Sequence, residues 1–219
     1  YPPTPPGVLR RVRASLFTLS LSLSQTDPNP ENLYDPTPFR GVDRGRDRGG
    51  GGKVYGSSWE QKIEQAKLPF VVVNAGVSGD TSAGGLRRVA WTLSKGADIL
   101  IIAPGGNDGL RGISPDVTKK NLLGIVKKAR TKNPMMKTLI AGMQMPDNMG
   151  PKFTERFKKL FPEIAKASNS RLIPFLIEGV GGNENLNQAD GIHPTAEGQR
   201  IVADNVWKIL LPELTKKES

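Results

Sequence analysis

The 219-residue chain contains no cysteine and only one histidine, His193. The absence of cysteine excludes disulfides, thiolate metal sites and a cysteine nucleophile. A single histidine excludes metal sites built from several histidines, and any imidazole general base must be His193. The sequence also has no run of eighteen apolar residues, so we expect no stable membrane insertion through a transmembrane helix.

Aromatic residues are also scarce, at 6%, while the formal net charge is +10 from 31 basic and 21 acidic side chains. A basic balance is compatible with a nucleic-acid or anionic partner. However, the Gly/Arg tract at 40–53 has no aromatic residue on which bases would stack, and Asp43 and Asp47 interrupt its arginines. We therefore expect no nucleic-acid partner. The sequence leaves the oligomeric state open.

The chain divides into two unlike parts. Residues 1–53 form an atypical Pro/Gly/Arg-rich segment, and residues 54–219 read as one regular domain. Within the first part, residues 10–25 have a basic start followed by a Leu- and Ser-rich apolar run, as in a secretory signal peptide. The same letters are compatible with a β-strand. A signal region predicts a periplasmic or secreted protein, and its absence predicts a cytoplasmic one. The first residue is Tyr1, as expected of a fragment, a processed chain or a misassigned start.

The second part alternates between apolar runs and amphipathic segments. The runs predict four strands, at 69–74, 98–103, 137–143 and 171–175. The first of these is expected to be buried on both faces, and Pro162 is expected to kink or split the helix that contains it. Strands that alternate with helices predict an α/β fold with a mostly parallel sheet covered on both faces. A fifth strand must then lie in the early region.

Ligands of such sheets bind beyond the carboxyl ends of the strands, so the loops there are the candidate sites. Gly79 lies in the loop after the first predicted strand, where its backbone N–H can point at a developing oxyanion. Asn107 lies in the Gly-rich loop after the second strand and offers a neutral NH₂ donor. Each loop taken alone is equally compatible with an ordinary turn or helix cap.

A carboxylate and the only imidazole lie three residues apart in the loop that precedes the final helix. Asp190 can accept from the Nδ1–H of His193, which fixes the tautomer and leaves Nε2 as a base. Two oxyanion donors and an Asp–His pair at one end of one sheet indicate acyl transfer to a small-molecule substrate. That chemistry needs no metal and no cofactor.

The segments VVNAGVSGDTSAGGLRR, GGNDGLRG and DGIHPTAEG resemble, in order, the second, third and fifth sequence blocks of the SGNH (GDSL-type) hydrolases. The likeness covers roughly residues 57–212 and is closest to the bacterial arylesterase, thioesterase and lysophospholipase branch. It implies a three-layer α/β/α flavodoxin-like sandwich with a five-stranded sheet, and a serine esterase that acts on aryl or short acyl esters or thioesters. It also implies that Gly79 and Asn107 hold the oxyanion and that Asp190 and His193 complete a catalytic triad.

The family's first block, Gly-Asp-Ser-Leu, is missing from this sequence. One interpretation is a degenerate block at 16–22, with Ser20 as the nucleophile and Ser22 and Ser24 as neighbouring candidates. This interpretation needs an insertion before Gly79, because a strand–helix–strand unit takes only about 30 residues or somewhat more.

In two other interpretations, this chain has no nucleophilic serine. If residues 10–25 are a leader, the block is expected near 41–52, which contains no serine. The protein would then be a catalytically impaired hydrolase or a ligand-binding scaffold. Alternatively, the reading frame is shifted across part of residues 1–53, which would account for the unusual composition of that segment.

Overall fold

The computed structural model describes residues 10–15 and 54–216. In this part of the chain, five strands form one sheet in the order β2-β1-β3-β4-β5, and every neighbouring pair is parallel. The strands are β1 Arg10–Ser15, β2 Phe70–Asn74, β3 Ile99–Ile102, β4 Lys137–Ala141 and β5 Arg171–Ile173. The sheet therefore contains the expected early strand, at residues 10–15. The position of a domain boundary at residue 53 stays a prediction.

The described part of the chain contains six α-helices, and all except the short α3 pack in layers on the sheet. They are α1 Val54–Gln65, α2 Ser82–Thr92, α3 Gly106–Leu110, α4 Pro115–Lys132, α5 Pro151–Ala167 and α6 Ala196–Thr215. Helix α4 packs between α2 and α5, whereas α1 packs against α6. The helices thus form two layers with the sheet between them, and the result is the predicted three-layer α/β/α sandwich. No helix among residues 54–216 combines the length and apolarity that crossing a bilayer requires.

The strand order reverses at β1. The chain leaves β1 for β2 on one side and then returns to β3 on the other side. Near their carboxyl ends, Ala14 pairs with Asn74 of β2, and Ser15 pairs with Ile102 of β3. A crevice forms at such a reversal, because the connections leave in opposite directions. The sheet therefore places its natural ligand site beyond the ends of β1 and β3.

The apolar core lies on both sides of β3 and β4. All four residues of β3 are buried, as predicted for a central parallel strand. The prediction that β2 is buried on both faces was wrong, since β2 lies at the edge of the sheet and Val71 is 41% exposed. The predicted split at Pro162 was also wrong, because α5 runs through it as one helix. Pro162 is exposed, where water can satisfy the carbonyl that loses its intrahelical donor.

Candidate active site

The Asp–His pair lies in the loop between β5 and α6. Asp190 Oδ2 is hydrogen-bonded to His193 Nδ1. Its Oδ1 accepts from the backbone N–H groups of Ile192 and His193, both at 2.9 Å. Gly191 has a φ of +68°, a left-handed conformation that glycine adopts without strain and that lets the loop close over the carboxylate. One carboxylate therefore fixes both the turn and the imidazole.

These contacts also fix the charge of Asp190. The backbone N–H of His193, then its ring, then the backbone N–H of Ile192 stabilise the ionised carboxylate and lower the pKa of Asp190 to about 2. A carboxylate that is ionised at neutral pH can only accept hydrogen bonds. Nδ1 of a neutral His193 must therefore carry the ring proton, and Nε2 is left with a free lone pair.

The Nε2 atom of His193 is buried and has no hydrogen-bond partner among the described residues, while the side chain as a whole is 16% exposed. An imidazole nitrogen without a partner is unusual in a protein interior, because buried polar atoms are nearly always satisfied. In acyl transfer this nitrogen takes the proton of the nucleophile and later gives it to the leaving group. The geometry thus presents a general base that is oriented and unoccupied.

Gly79 lies in the loop between β2 and α2, three residues before the helix begins at Ser82. Its φ is +70°, so this turn favours glycine. Within the described part of the chain, the Gly79 N–H donates to no partner, although its carbonyl accepts from Arg111 Nη2 at 3.0 Å. The helix cap is Thr81, whose hydroxyl accepts from Gly84 N. Gly79 is therefore free of the capping role and keeps an available donor.

Asn107 lies on α3, directly beyond β3, and is 3% exposed. Its Nδ2 donates to the backbone carbonyl of Asp80 at 3.0 Å. This bond brings the loop that contains Gly79 against the loop after β3, as the sequence predicted. An amide NH₂ has two hydrogens, so one remains for a second acceptor. The two loops together can present one backbone donor and one side-chain donor to a negatively charged oxygen.

Known proteins are similar to this chain in both sequence and architecture. A sequence model of the GDSL-like lipase/acylhydrolase family matches residues 41–201. The chain belongs to this family. It is 40% identical over 156 residues to esterase TesA of Pseudomonas aeruginosa, across 71% of this chain and 77% of that protein. It is 37% identical over 160 residues to thioesterase 1/protease 1/lysophospholipase L1 of Escherichia coli K12, across 73% of each chain. A crystal structure of TesA superimposes with a TM-score of 0.74 at 31% identity, over 93% of this chain and 99% of that one.

Family membership assigns the chain to the serine hydrolases of carboxylic esters and thioesters. Four of its five predicted site residues follow the carboxyl ends of the strands, with Asn107 on α3 and the other three, Gly79, Asp190 and His193, on loops. The fifth, Ser20, lies outside the described residues. It follows the end of β1 at Ser15 by five positions in the sequence.

Sequence reasoning missed a set of polar side chains that hold the loops of Gly79 and Asn107, the two predicted oxyanion donors. Arg88 Nε bonds Asp80 Oδ2 at 2.8 Å, and its Nη1 donates to the Ala75 carbonyl at 2.6 Å. Asp108, the residue after Asn107, is fully buried. The signal was available, because Asp80 and Asp108 belong to the same motifs as Gly79 and Asn107. What the sequence did not reveal is which side chains these carboxylates contact.

Three methionines follow β4 in the sequence, Met143, Met145 and Met149, and they are candidates either for shaping an acyl pocket or for packing in the core. Met143 and Met145 are buried at 4% and 8% exposure. Met145 packs against Gly109 on α3, where any Cβ would collide with its sulfur at 2.1 Å. Met145 also lines a groove of about 420 Å³ that otherwise has mainly polar walls. Met145 therefore belongs to the core and borders an open groove next to the helix of Asn107.

Proposed function

We propose that this chain hydrolyses aryl or short-chain acyl esters, or thioesters, through an acyl-enzyme intermediate. The observation that carries the proposal is the Asp190–His193 pair, in which the carboxylate orients the ring and Nε2 has no partner in the part of the chain that the structure describes. A ring held in this way is suited to accept a proton from a serine hydroxyl and to return it to the leaving group.

In the proposed reaction, the nucleophilic oxygen attacks the carbonyl carbon while His193 Nε2 removes its proton. The carbonyl oxygen then becomes an oxyanion, to which the Gly79 N–H and the Asn107 NH₂ donate. One such donor contributes about 3–4 kcal/mol to transition-state stabilisation. His193 next protonates the leaving alcohol or thiol, and a water molecule, activated by the same ring, releases the carboxylic acid. The named groups perform every step, provided that a serine is present.

The nucleophile is proposed on the segment that follows β1. This strand lies between β2 and β3, so the chain that leaves it begins beside the loops of Gly79 and Asn107. Ser20 is the first serine after the end of the strand, and Ser22 and Ser24 follow it. Any of the three serves the proposed mechanism if its hydroxyl reaches His193.

A second candidate is a family member without turnover. One specific observation favours it: the sequence contains no Gly-Asp-Ser. In this form the protein binds an ester or a related ligand at the same loops, and the Asp–His pair has no hydroxyl to activate. This candidate predicts ligand binding without product.

The cellular location of the protein is proposed from residues 10–25. If residues 10–25 act as a signal region, the protein is periplasmic or secreted; otherwise it is cytoplasmic. The strand at Arg10–Ser15 bears on this, because cleavage after residue 25 would remove an inner strand from the sheet. N-terminal sequencing of the protein recovered from each cell fraction decides between these outcomes.

The deciding experiment uses the 219-residue protein with a short p-nitrophenyl ester and a fluorophosphonate probe. Mass spectrometry then maps any adduct. Turnover with an adduct on Ser20, Ser22 or Ser24 supports the esterase. Substitution of the labelled serine by alanine should abolish both turnover and labelling. The control is Ser168→Ala, at the C-terminal cap of α5, which should leave both unchanged. A folded protein with neither turnover nor adduct refutes the esterase and leaves the binding scaffold.

A further inference from the structure

A buried carboxylate lies directly beside the proposed oxyanion donor. Asp108 follows Asn107 on α3 and is 0% exposed. It has no ion-pair partner among the described residues, so hydrogen bonds alone must compensate its burial. Such a group is costly to keep in a protein interior. The proposed acyl transfer does not use this carboxylate.

The carboxylate of Asp108 joins three helices. Its Oδ2 accepts from the backbone N–H of Ser82 at 2.8 Å, and its Oδ1 accepts from the Ser82 hydroxyl, both at the start of α2. The same Oδ1 accepts from Thr118 Oγ1 on α4 at 3.2 Å. Ser82 Oγ in turn accepts from Asn121 Nδ2 at 2.9 Å. Ser82 and Thr118 are themselves fully buried.

These contacts link the two loops that contain the proposed oxyanion donors. Ser82 follows Gly79 by three residues, so Asp108 holds the end of one loop while Asn107, its neighbour, is held to Asp80 at the middle of the same loop. We infer that Asp108 is a positioning residue, which sets the distance between the Gly79 N–H and the Asn107 NH₂. The inference rests on the proposed function.

This spacing matters because an oxyanion hole works only when its donors converge. Both donors must reach the same oxygen at about 2.7–3.1 Å, and a misplacement of about 1 Å is costly to the rate. Arg111 supplies a third link between α3 and the loop, through the Gly79 carbonyl, but this side chain is exposed to solvent. The buried contacts of Asp108 are therefore the rigid part of the connection.

Thr118→Val is the sharpest test, because it removes one hydroxyl from Asp108 at constant shape. Thr138→Val is its matched control. Thr138 is also buried, at 3% exposure, but its hydroxyl pairs with Ser170 at the start of β4 and β5, the opposite end of the sheet. Thr118→Ser keeps the hydroxyl and should restore the wild-type behaviour.

Two readouts are needed, and only one of them depends on turnover. Hydrogen exchange should become about tenfold faster in the peptides that cover residues 79–83 and 105–110 of Thr118→Val, and not in those of Thr138→Val. Ester kinetics should show kcat reduced about tenfold with KM within about twofold, because the donors act in the transition state.

The exchange result can overturn the inference whether or not the protein turns over. If residues 79–83 and 105–110 exchange at the same rate in Thr118→Val and wild type, or if Thr138→Val loosens them equally, Asp108 does not position these loops. Faster exchange with unchanged kcat in an active enzyme also overturns the inference. If the wild type neither turns over nor forms an adduct, the proposed function fails, while the exchange arm still reports whether Asp108 sets the spacing.

Discussion

Asp190→Asn tests whether the imidazole is held by its carboxylate. The substitution keeps the shape of the side chain, and the amide oxygen can still accept from the backbone N–H groups of Ile192 and His193. The amide NH₂ then faces Nδ1, where an acceptor is required. The ring must respond by placing its proton on Nε2, which turns the base into a donor.

The expected loss of rate is large and the loss of stability is small. A wrong histidine tautomer of this kind costs about 10⁴ in kcat in serine proteases. At 1.36 kcal/mol for each tenfold change, this amounts to about 5.5 kcal/mol in the activation barrier. The side chain of Asp190 is 42% exposed and the turn keeps its backbone bonds, so the free energy of unfolding should fall by less than about 1 kcal/mol.

The assay compares ester hydrolysis, the rate of fluorophosphonate labelling and the thermal unfolding midpoint in wild type and variant. Asp204→Asn is the control, because Asp204 is an exposed carboxylate that pairs with Lys62 on the surface. It should leave both rates unchanged. A variant at position 190 that keeps kcat and labelling within tenfold of the wild type would show that Asp190 does not set the tautomer, and the role given to the pair would be withdrawn.

Three further outcomes follow from single contacts. Asn107→Ala should lower kcat by about 10²–10³ with little change in KM, since one oxyanion donor is lost, as ester kinetics can measure. Glu213→Gln should lower the unfolding midpoint at pH 7 by about 4–8 °C for about 2 kcal/mol, because the buried carboxylate bonds Arg171 at 2.7 Å. Burial raises the pKa of Glu213, but Arg171 and its other cations outweigh this and lower it below 4.5. Its stabilisation is therefore complete above pH 4.5 and is lost as the pH falls through the lowered pKa, so the difference in midpoint should shrink at acid pH. Gly142→Ala should destabilise the fold by about 3 kcal/mol in denaturant titrations, because its Cβ would lie 2.1 Å from a backbone carbonyl; Gly181→Ala would meet only a flexible side chain and should cost less.

The sequence was sufficient to predict the architecture, because the pattern of apolar runs depends on local periodicity. The predicted strands at 98–103 and 137–143 enclose the observed Ile99–Ile102 and Lys137–Ala141. The Asp–His pair could also be predicted, since its two members lie three residues apart and their contact forms within one turn. Local spacing settles both features without knowledge of distant contacts.

Features that depend on distant partners could not be predicted in the same way. The apolar residues at 69–74 do not reveal that β2 lies at the edge of the sheet, because strand order depends on which strands pair with β2. Likewise, Asp108 and Ser82 are 26 positions apart, and only the folded chain brings the carboxylate to that N–H. From the sequence alone, Asp80 and Asp108 are each equally compatible with a solvent-exposed helix N-cap.

The first strand is where sequence and architecture disagree, and this disagreement bears on the nucleophile. β1 pairs on both sides, and inner strands of a parallel sheet covered by helices are normally apolar, as the Ile99–Ile102 strand is. Yet β1 reads RRVRAS, with three arginines in six residues. In natural sequences, local pattern and fold mostly agree, as they do in the buried strand Ile99–Ile102 of this chain. A degenerate first block explains the lost Gly-Asp-Ser but not the arginines, and a leader does not explain why its residues complete the sheet. A shifted reading frame explains both the arginines and the missing serine, because it replaces the apolar strand and the block that follows it together.

Resequencing the gene tests this directly: a Gly-Asp-Ser-Leu in another frame is expected, and an intact gene that encodes RRVRAS in frame would reject the hypothesis.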